Sequence, residues 1–176
     1  MKKKLGGAII DIGNVIIAYR LSGLNRENYH SYDFDSIPPE PGCFDMLKKL
    51  NEEFGGNITI VWKATDDAVG KNMKWLKTHR FAELTGIPIE RIHRIGQCRS
   101  EKTSHINQSS STHCGTTIVV DDRLEVLSHF VGKVPHLFLF QPQQQEVEQF
   151  KHTGALAHVY VVKSWQEIGE ILRDKN

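Results

Sequence analysis

Two short apolar runs that end in aspartate constrain the fold of this chain most strongly. Residues 5–10 are followed directly by Asp11, and residues 116–120 are followed by Asp121 and Asp122. Runs of this length that are rich in Ile and Val are typical of strands buried on both faces of a parallel sheet. The sequence therefore predicts two interior strands that each end in carboxylates.

Similar apolar runs alternate with helical patterns along the rest of the chain. We expect further strands at residues 58–62, 92–95, 136–140 and 158–162, and an extended piece at 15–19. Apolar residues at helical spacing predict helices at 44–54, after Thr65, after Asp122 and after the capping box that begins at Ser164. This alternation predicts an α/β fold with a mainly parallel sheet.

Length and composition limit the class of protein. With 176 residues, we expect a single domain over residues 1–176. The net charge of +1, from 22 basic and 21 acidic residues, favours neither nucleic acid nor an anionic membrane as the main partner. No apolar run approaches the roughly 20 residues of a membrane span. Three cysteines without CxxC spacing favour a reducing, cytoplasmic compartment.

The carboxylates at the strand ends suggest a cation site. Ligands of open parallel sheets lie beyond the carboxyl ends of the strands, so Asp11, Asp121 and Asp122 converge if their strands are neighbours. Mg²⁺ is the natural occupant because it prefers hard oxygen ligands and shares its coordination shell with phosphate. The simpler alternative is that each aspartate is a turn or N-cap residue, and that the candidate basic partner Lys102 is a solvated surface charge.

The order of these motifs matches one known family. Residues 8–16 (AIIDIGNVI) and 118–122 (IVVDD), with Lys102 upstream of the second, resemble the first, fourth and third motifs of the haloacid dehalogenase (HAD) superfamily. The resemblance extends from about residue 5 to residue 162. It implies a Rossmann-like three-layer α/β/α sandwich and an Mg²⁺-dependent hydrolase, most often a phosphatase.

The resemblance also assigns roles in catalysis and metal binding. Asp11 would attack phosphorus and form an aspartyl-phosphate, which water then hydrolyses. Mg²⁺ would be held by Asp11, the Gly13 carbonyl and Asp122, with Asp121 as a ligand or as a residue behind the ligands. Lys102 would shield the charge between Asp11 and the phosphate.

Substrate binding is assigned to three further residues, and here the chain departs from the family pattern. We expect Asn14, Lys63 and Thr65 to contact the substrate. The family's usual phosphate-binding Ser or Thr falls at Trp62 or Lys63, so Thr65 or the Lys63 charge would have to replace that hydroxyl. The alternative is that Thr65 caps the following helix and Lys63 is a surface charge.

A second departure concerns proton transfer. Phosphatases of the superfamily usually carry a second Asp two residues after the nucleophile, and that position is Gly13 here. The resemblance therefore implies a slow phosphatase that favours leaving groups such as aryl or acyl phosphates. Relatives that cleave C–halogen or C–P bonds also lack this Asp, which leaves other chemistry open. The alternative function is a degenerate domain that binds Mg²⁺ or a phosphorylated ligand without turnover.

No interval in the sequence is long enough for the large cap domain of many relatives. Residues 20–40 are polar and contain prolines, so we expect a small lid or flap there, with Tyr19, Tyr29, Tyr32 and Phe34 either covering the site or anchoring the loop. An open site suits a bulky substrate, such as a macromolecule end, or needs a partner subunit to exclude water. We expect a phosphorylated substrate, either a small molecule or a macromolecule end, and the oligomeric state stays open. A receiver-like phosphoacceptor domain is disfavoured because its acidic pair would follow the first strand.

Overall fold

A six-stranded sheet forms the centre of the protein. The computed structural model describes residues 6–24, 27–63, 66–95 and 115–175, with only the backbone at residues 63, 66 and 95. All strand pairs are parallel, and the strand order is β3-β2-β1-β4-β5-β6. The strands are β1 (Gly7–Ile10), β2 (Ile58–Lys63), β3 (Ile92–Ile95), β4 (Thr116–Asp121), β5 (His136–Phe140) and β6 (Tyr160–Val162). The predicted parallel α/β architecture is confirmed.

Helices cover both faces of this sheet. They are α1 (Tyr19–Ser22), α2 (Cys43–Glu53), α3 (Asp66–Thr78), α4 (Phe81–Thr85), α5 (Leu124–Ser128), α6 (Gln144–Phe150) and α7 (Trp165–Asp174). Successive side chains of β1 point to opposite faces of the sheet, so they pack into two separate hydrophobic clusters. Ile10 packs with residues of α2, α3 and α7, whereas Ile9 packs with residues of α5 and α6. The predicted three-layer α/β/α sandwich is therefore confirmed.

The expected extended piece at residues 15–19 is wrong. The amides of Ile16 and Ile17 both donate to the Ile12 carbonyl at 3.0 Å, which makes a tight turn leading into α1. Neither edge of β1 is open to a second extended segment, because β2 and β4 already pair with it. The apolar residues 15–17 are instead fully buried within the turn.

The C-terminal helix α7 forms as predicted and anchors this turn. The Ser164 hydroxyl accepts a hydrogen bond from the Glu167 amide at 3.2 Å, which satisfies a donor in the first turn of the helix. The indole of Trp165 is fully buried, and its Nε1 donates to the Val15 carbonyl at 2.8 Å. The last helix is thereby fixed to the turn that follows the first strand.

No large cap domain is present in the described part of the chain. Between β1 and α2, the described residues form only the short helix α1 and a 3₁₀ turn at Phe34–Ser36 as helical elements. β6 is shorter than predicted because Ala155–His158 form another 3₁₀ turn before it.

None of the described helices is long and apolar enough to cross a membrane.

Candidate active site

The two acidic strand ends lie side by side, which is the condition under which the sequence analysis expected their carboxylates to converge. β1 and β4 are neighbours in the sheet, and the Asp11 amide extends their pairing by donating to the Val120 carbonyl at 2.9 Å. Asp121 is the last residue of β4, and Asp122 follows it. The topology therefore brings the three carboxylates to one edge of the sheet. At this point, between β1 and β4, the order in which successive strands are added to the sheet reverses.

A single turn contacts the carboxylates of both strands. The Gly13 amide donates to Asp11 Oδ2 at 3.0 Å, and the Asn14 side-chain Nδ2 donates to Asp122 Oδ2 at 3.0 Å. Asn14 has a φ of 56°, in the left-handed region where Asn is one of the better-tolerated residues after Gly. Consecutive residues of the turn thus orient Asp11 and Asp122, both of which are partly buried.

Asp121 has a different environment from the other two aspartates. It is only 1% exposed, and its Oδ1 accepts a hydrogen bond from the Arg123 amide at 3.0 Å. This contact helps to form the bend between β4 and α5. Whether Asp121 is a metal ligand or lies behind the ligands stays a prediction.

Glu146 completes the support for the loop after β4. Its two carboxylate oxygens accept hydrogen bonds from the Leu124 and Glu125 amides, each at 3.0 Å. These amides belong to the first turn of α5, where donors lack partners within the helix. A side chain from α6 therefore fixes the start of the helix that follows Asp122.

The chemistry of Asp11 and Asp122 suits Mg²⁺, which prefers carboxylate oxygens. Within residues 6–24, 27–63, 66–95 and 115–175, no three or more His, Cys, Asp or Glu side chains are grouped to hold a metal ion. Mg²⁺ is usually held by one or two carboxylates, with substrate phosphate and water completing its shell. Asp11 and Asp122, together with the Gly13 carbonyl, fit that chemistry.

An aromatic ring occupies the space beside Gly13. A Cβ atom at this position would lie 3.3 Å from Tyr19 Cε2 and 3.8 Å from Asp11 Oδ2. The Tyr19 hydroxyl donates to Asn72 Oδ1 at 2.6 Å, and Asn72 is itself buried. Burial and then the Asp11 charge raise the pKa of Tyr19, so its phenol stays protonated at neutral pH. A side chain at position 13 would therefore be in tight contact with the Tyr19 ring from its Cβ atom onward.

The aromatic residues of segment 20–40 pack around Phe34 and against α3. The rings of Tyr19, Tyr29 and Tyr32 each meet Phe34 edge-on, with centroids 5.2–6.3 Å apart. Lys71 Nζ on α3 lies 3.9 Å from the Tyr29 ring centroid and donates to the Tyr29 carbonyl at 2.8 Å. These contacts anchor the segment to α3, and its role as a lid stays a prediction.

The remaining predicted site residues are less fully described. Trp62 is 3% exposed and belongs to the core, and its Nε1 has no hydrogen-bond partner among the described residues. Lys63 ends β2, but only its backbone is described. Thr65 and Lys102 lie outside the described residues. Their proposed contacts with substrate therefore stay predictions, as does substrate binding by Asn14.

A buried ion pair beside the site was missed by the sequence analysis. Arg20 Nη2 lies 2.7 Å from Glu40 Oε1, and the Glu40 side chain is only 2% exposed. Arg20 also donates to the carbonyls of Asn14 and Gln141, each at 2.9 Å. No sequence motif marks these residues, because Arg20 and Glu40 lie at opposite ends of a polar segment and Gln141 follows β5.

Comparison with known proteins finds solved structures of similar fold. No protein-family model matches the chain, and no curated protein sequence matches it. A D,D-heptose 1,7-bisphosphate phosphatase from B. bronchiseptica, complexed with magnesium and phosphate, aligns with a TM-score of 0.63 at 14% identity, covering 97% of this chain and 99% of that one. A HAD family hydrolase from Deinococcus radiodurans R1, with bound phosphate and sodium, aligns with a TM-score of 0.60 at 13% identity, covering 97% and 96%. These likenesses confirm the HAD-like fold predicted from the sequence.

Proposed function

We propose that this protein is an Mg²⁺-dependent phosphatase of the HAD type that acts through an aspartyl-phosphate on Asp11. The observation that carries the proposal is the arrangement of Asp11 and Asp122, which directly follow two neighbouring strands and both accept hydrogen bonds from one turn. The two structural neighbours were crystallised with phosphate, one of them also with magnesium, and this supports the same chemistry here.

The proposed reaction has two steps at Asp11. Its carboxylate oxygen attacks phosphorus, the bond from phosphorus to the leaving oxygen breaks, and the leaving group departs with the electron pair. Water then attacks phosphorus, the bond from phosphorus to the Asp11 oxygen breaks with its electron pair returning to the carboxylate, and the proton of the water leaves with the released phosphate or passes to solvent. The Gly13 amide holds Asp11 Oδ2 and so limits the orientations of the nucleophile. Bound Mg²⁺ supplies charge neutralisation for the phosphoryl oxygens, and Lys102 is proposed to add positive charge.

The substrate is proposed to have a leaving group that needs little protonation. General acid–base help is typically worth about 10²- to 10⁴-fold in rate, or roughly 3–5.5 kcal/mol of barrier. Gly13 has no acidic side chain, and the Tyr19 hydroxyl is engaged in a hydrogen bond to Asn72 Oδ1. Aryl and acyl phosphates release an aryloxide or a carboxylate, which is a weak base, so these substrates lose least from the missing acid. Both small molecules and macromolecule ends of this class are candidates.

A domain that binds a phosphorylated ligand without turnover is the second candidate. Two observations favour it: the Tyr19 ring beside Gly13, and the burial of Trp62 where a phosphate-binding hydroxyl is expected. At each of these two positions, the chain lacks a side chain that family members use for catalysis. This candidate predicts saturable binding of a phosphate ester with no product after long incubation.

The test is hydrolysis of an activated aryl phosphate with Mg²⁺ and with EDTA. We expect turnover that requires Mg²⁺ and disappears in Asp11→Asn, because an amide cannot act as the nucleophile. Asp174→Asn is the matched control, since Asp174 is exposed on α7. Activity that persists in Asp11→Asn would refute the aspartyl-phosphate mechanism. Binding without turnover in the wild type would favour the second candidate.

A further inference from the structure

Two residues that follow strands have a backbone conformation that residues other than glycine rarely adopt. Asn14 and Gln141 have φ values of 56° and 40°, and neither is glycine. Asn14 lies in the turn after β1, and Gln141 directly follows β5. Non-glycine residues in this region persist only where the surrounding structure holds them, and such positions cluster at functional sites.

One guanidinium group holds both of these backbones. Arg20 Nη2 donates to the Asn14 carbonyl and Nη1 donates to the Gln141 carbonyl, each at 2.9 Å. The same Nη2 also donates to Glu40 Oε1 at 2.7 Å. We call this arrangement of Arg20, Glu40 and the two carbonyls the Arg20 clamp. Its planar donors suit several acceptors in fixed directions, which a lysine ammonium does not reproduce.

The Asn14 side chain connects the clamp to Asp122. Its Oδ1 accepts a hydrogen bond from the Arg20 backbone amide at 3.2 Å, which identifies the amide orientation. Its Nδ2 therefore faces Asp122 Oδ2, at 3.0 Å. The backbone amide of Asn14 donates to the Ile17 carbonyl at 2.9 Å. Two hydrogen bonds thus determine the orientation of the Asn14 side-chain amide, and a third holds the Asn14 backbone.

We propose that Asn14 and the Arg20 clamp are positioning elements that hold Asp122 in its Mg²⁺-binding orientation. The inference rests on the proposed function, since it assumes that Asp122 is a metal ligand. Residues that hydrogen-bond to ligating groups orient them, and their loss typically lowers metal affinity by about 10- to 100-fold. Asn14 thereby acts on the metal through Asp122, in contrast to the direct substrate contact expected from the sequence.

The test measures Mg²⁺ binding by calorimetry, without substrate. Asn14→Gly keeps access to the left-handed backbone and removes the side-chain amide that bonds to Asp122 and to the Arg20 backbone, so we expect about 10-fold weaker binding in a protein that still folds. Asn28→Gly is the control, because its side chain donates to the Gly23 carbonyl on the exposed surface, and we expect wild-type affinity. Asp122→Asn should weaken binding at least as strongly as Asn14→Gly.

A second variant keeps the proposal testable if Asn14→Gly does not fold. Arg20→Lys retains a positive charge beside Glu40 but cannot donate to both carbonyls, and we expect an intermediate loss of Mg²⁺ affinity. Affinity within twofold of wild type in the folded Asn14 or Arg20 variant would overturn this inference alone. A wild-type protein without saturable Mg²⁺ binding, or an Asp122→Asn variant that binds normally, would overturn the proposed metal site as well.

Discussion

Replacing Arg20 by methionine should destabilise the protein in a pH-dependent way. Arg20→Met keeps most of the side-chain volume but removes the charge opposite Glu40, which is 2% exposed. Removing one partner of a buried ion pair typically costs about 3–5 kcal/mol. Because the Arg20 side chain is 22% exposed and water reaches part of it, we expect the lower end, about 3 kcal/mol near neutral pH.

The pH dependence follows from the environment of Glu40. Burial raises the pKa of this carboxyl, and the Arg20 charge and hydrogen bond oppose the rise. Without Arg20 the folded-state pKa rises further above the unfolded value. A carboxyl with a raised folded-state pKa contributes stability below its unfolded pKa and loses it as pH rises through the folded pKa. The cost of Arg20→Met should therefore be larger near pH 8 than near pH 5.

The assay is urea-induced unfolding of the wild type and variants at both pH values. Arg80→Met is the control, because Arg80 forms an exposed pair with Glu83 three residues later, and such pairs contribute about 0–1 kcal/mol. Adding Glu40→Gln to Arg20→Met should recover stability at the higher pH by removing the unpaired charge. An equal loss at both pH values, or no recovery in the double variant, would refute the argument.

Two further predictions concern the loops around the site. Glu146→Ala removes the acceptor of the Leu124 and Glu125 amides, and we expect a loss of about 1–2 kcal/mol in unfolding free energy, measured in urea. An unchanged midpoint would contradict this capping role. Gly13→Asp alone should leave alkyl phosphate hydrolysis almost unchanged, since its side chain meets the Tyr19 ring. Combined with Tyr19→Ala it should raise kcat/KM by up to about 10²-fold, and an equal gain in the single variant would disprove the steric explanation.

The sequence was informative where backbone geometry determines position. Apolar runs with the length of buried strands located β1 and β4, and the direction of parallel strands brought Asp11 and Asp122 to one edge. The Ser164 capping box located the start of α7, because its hydrogen bond joins residues only three positions apart. These features depend on neighbouring residues or on one repeated pattern.

Contacts between distant polar residues left no such pattern. Arg20 meets Gln141 across 121 positions, and nothing near either residue indicates the other. The left-handed backbone of Asn14 had a weak signal, because Asn tolerates that region, whereas Gln141 had none. The proximity of Tyr19 to Gly13 depends on the turn at residues 15–17, which the sequence analysis took for an extended piece.

The hydrogen bond from the Trp165 indole to the Val15 carbonyl has a consequence for the order of folding. It joins residues 150 positions apart, and the turn that it anchors carries Gly13 and Asn14. Contacts of large sequence separation form late, because a long loop must close before they stabilise the fold. During synthesis the N-terminal strand emerges first, yet its turn lacks this anchor until the last helix has emerged. A nascent or truncated chain that ends before residue 165 therefore carries Asp11 in an unfinished site.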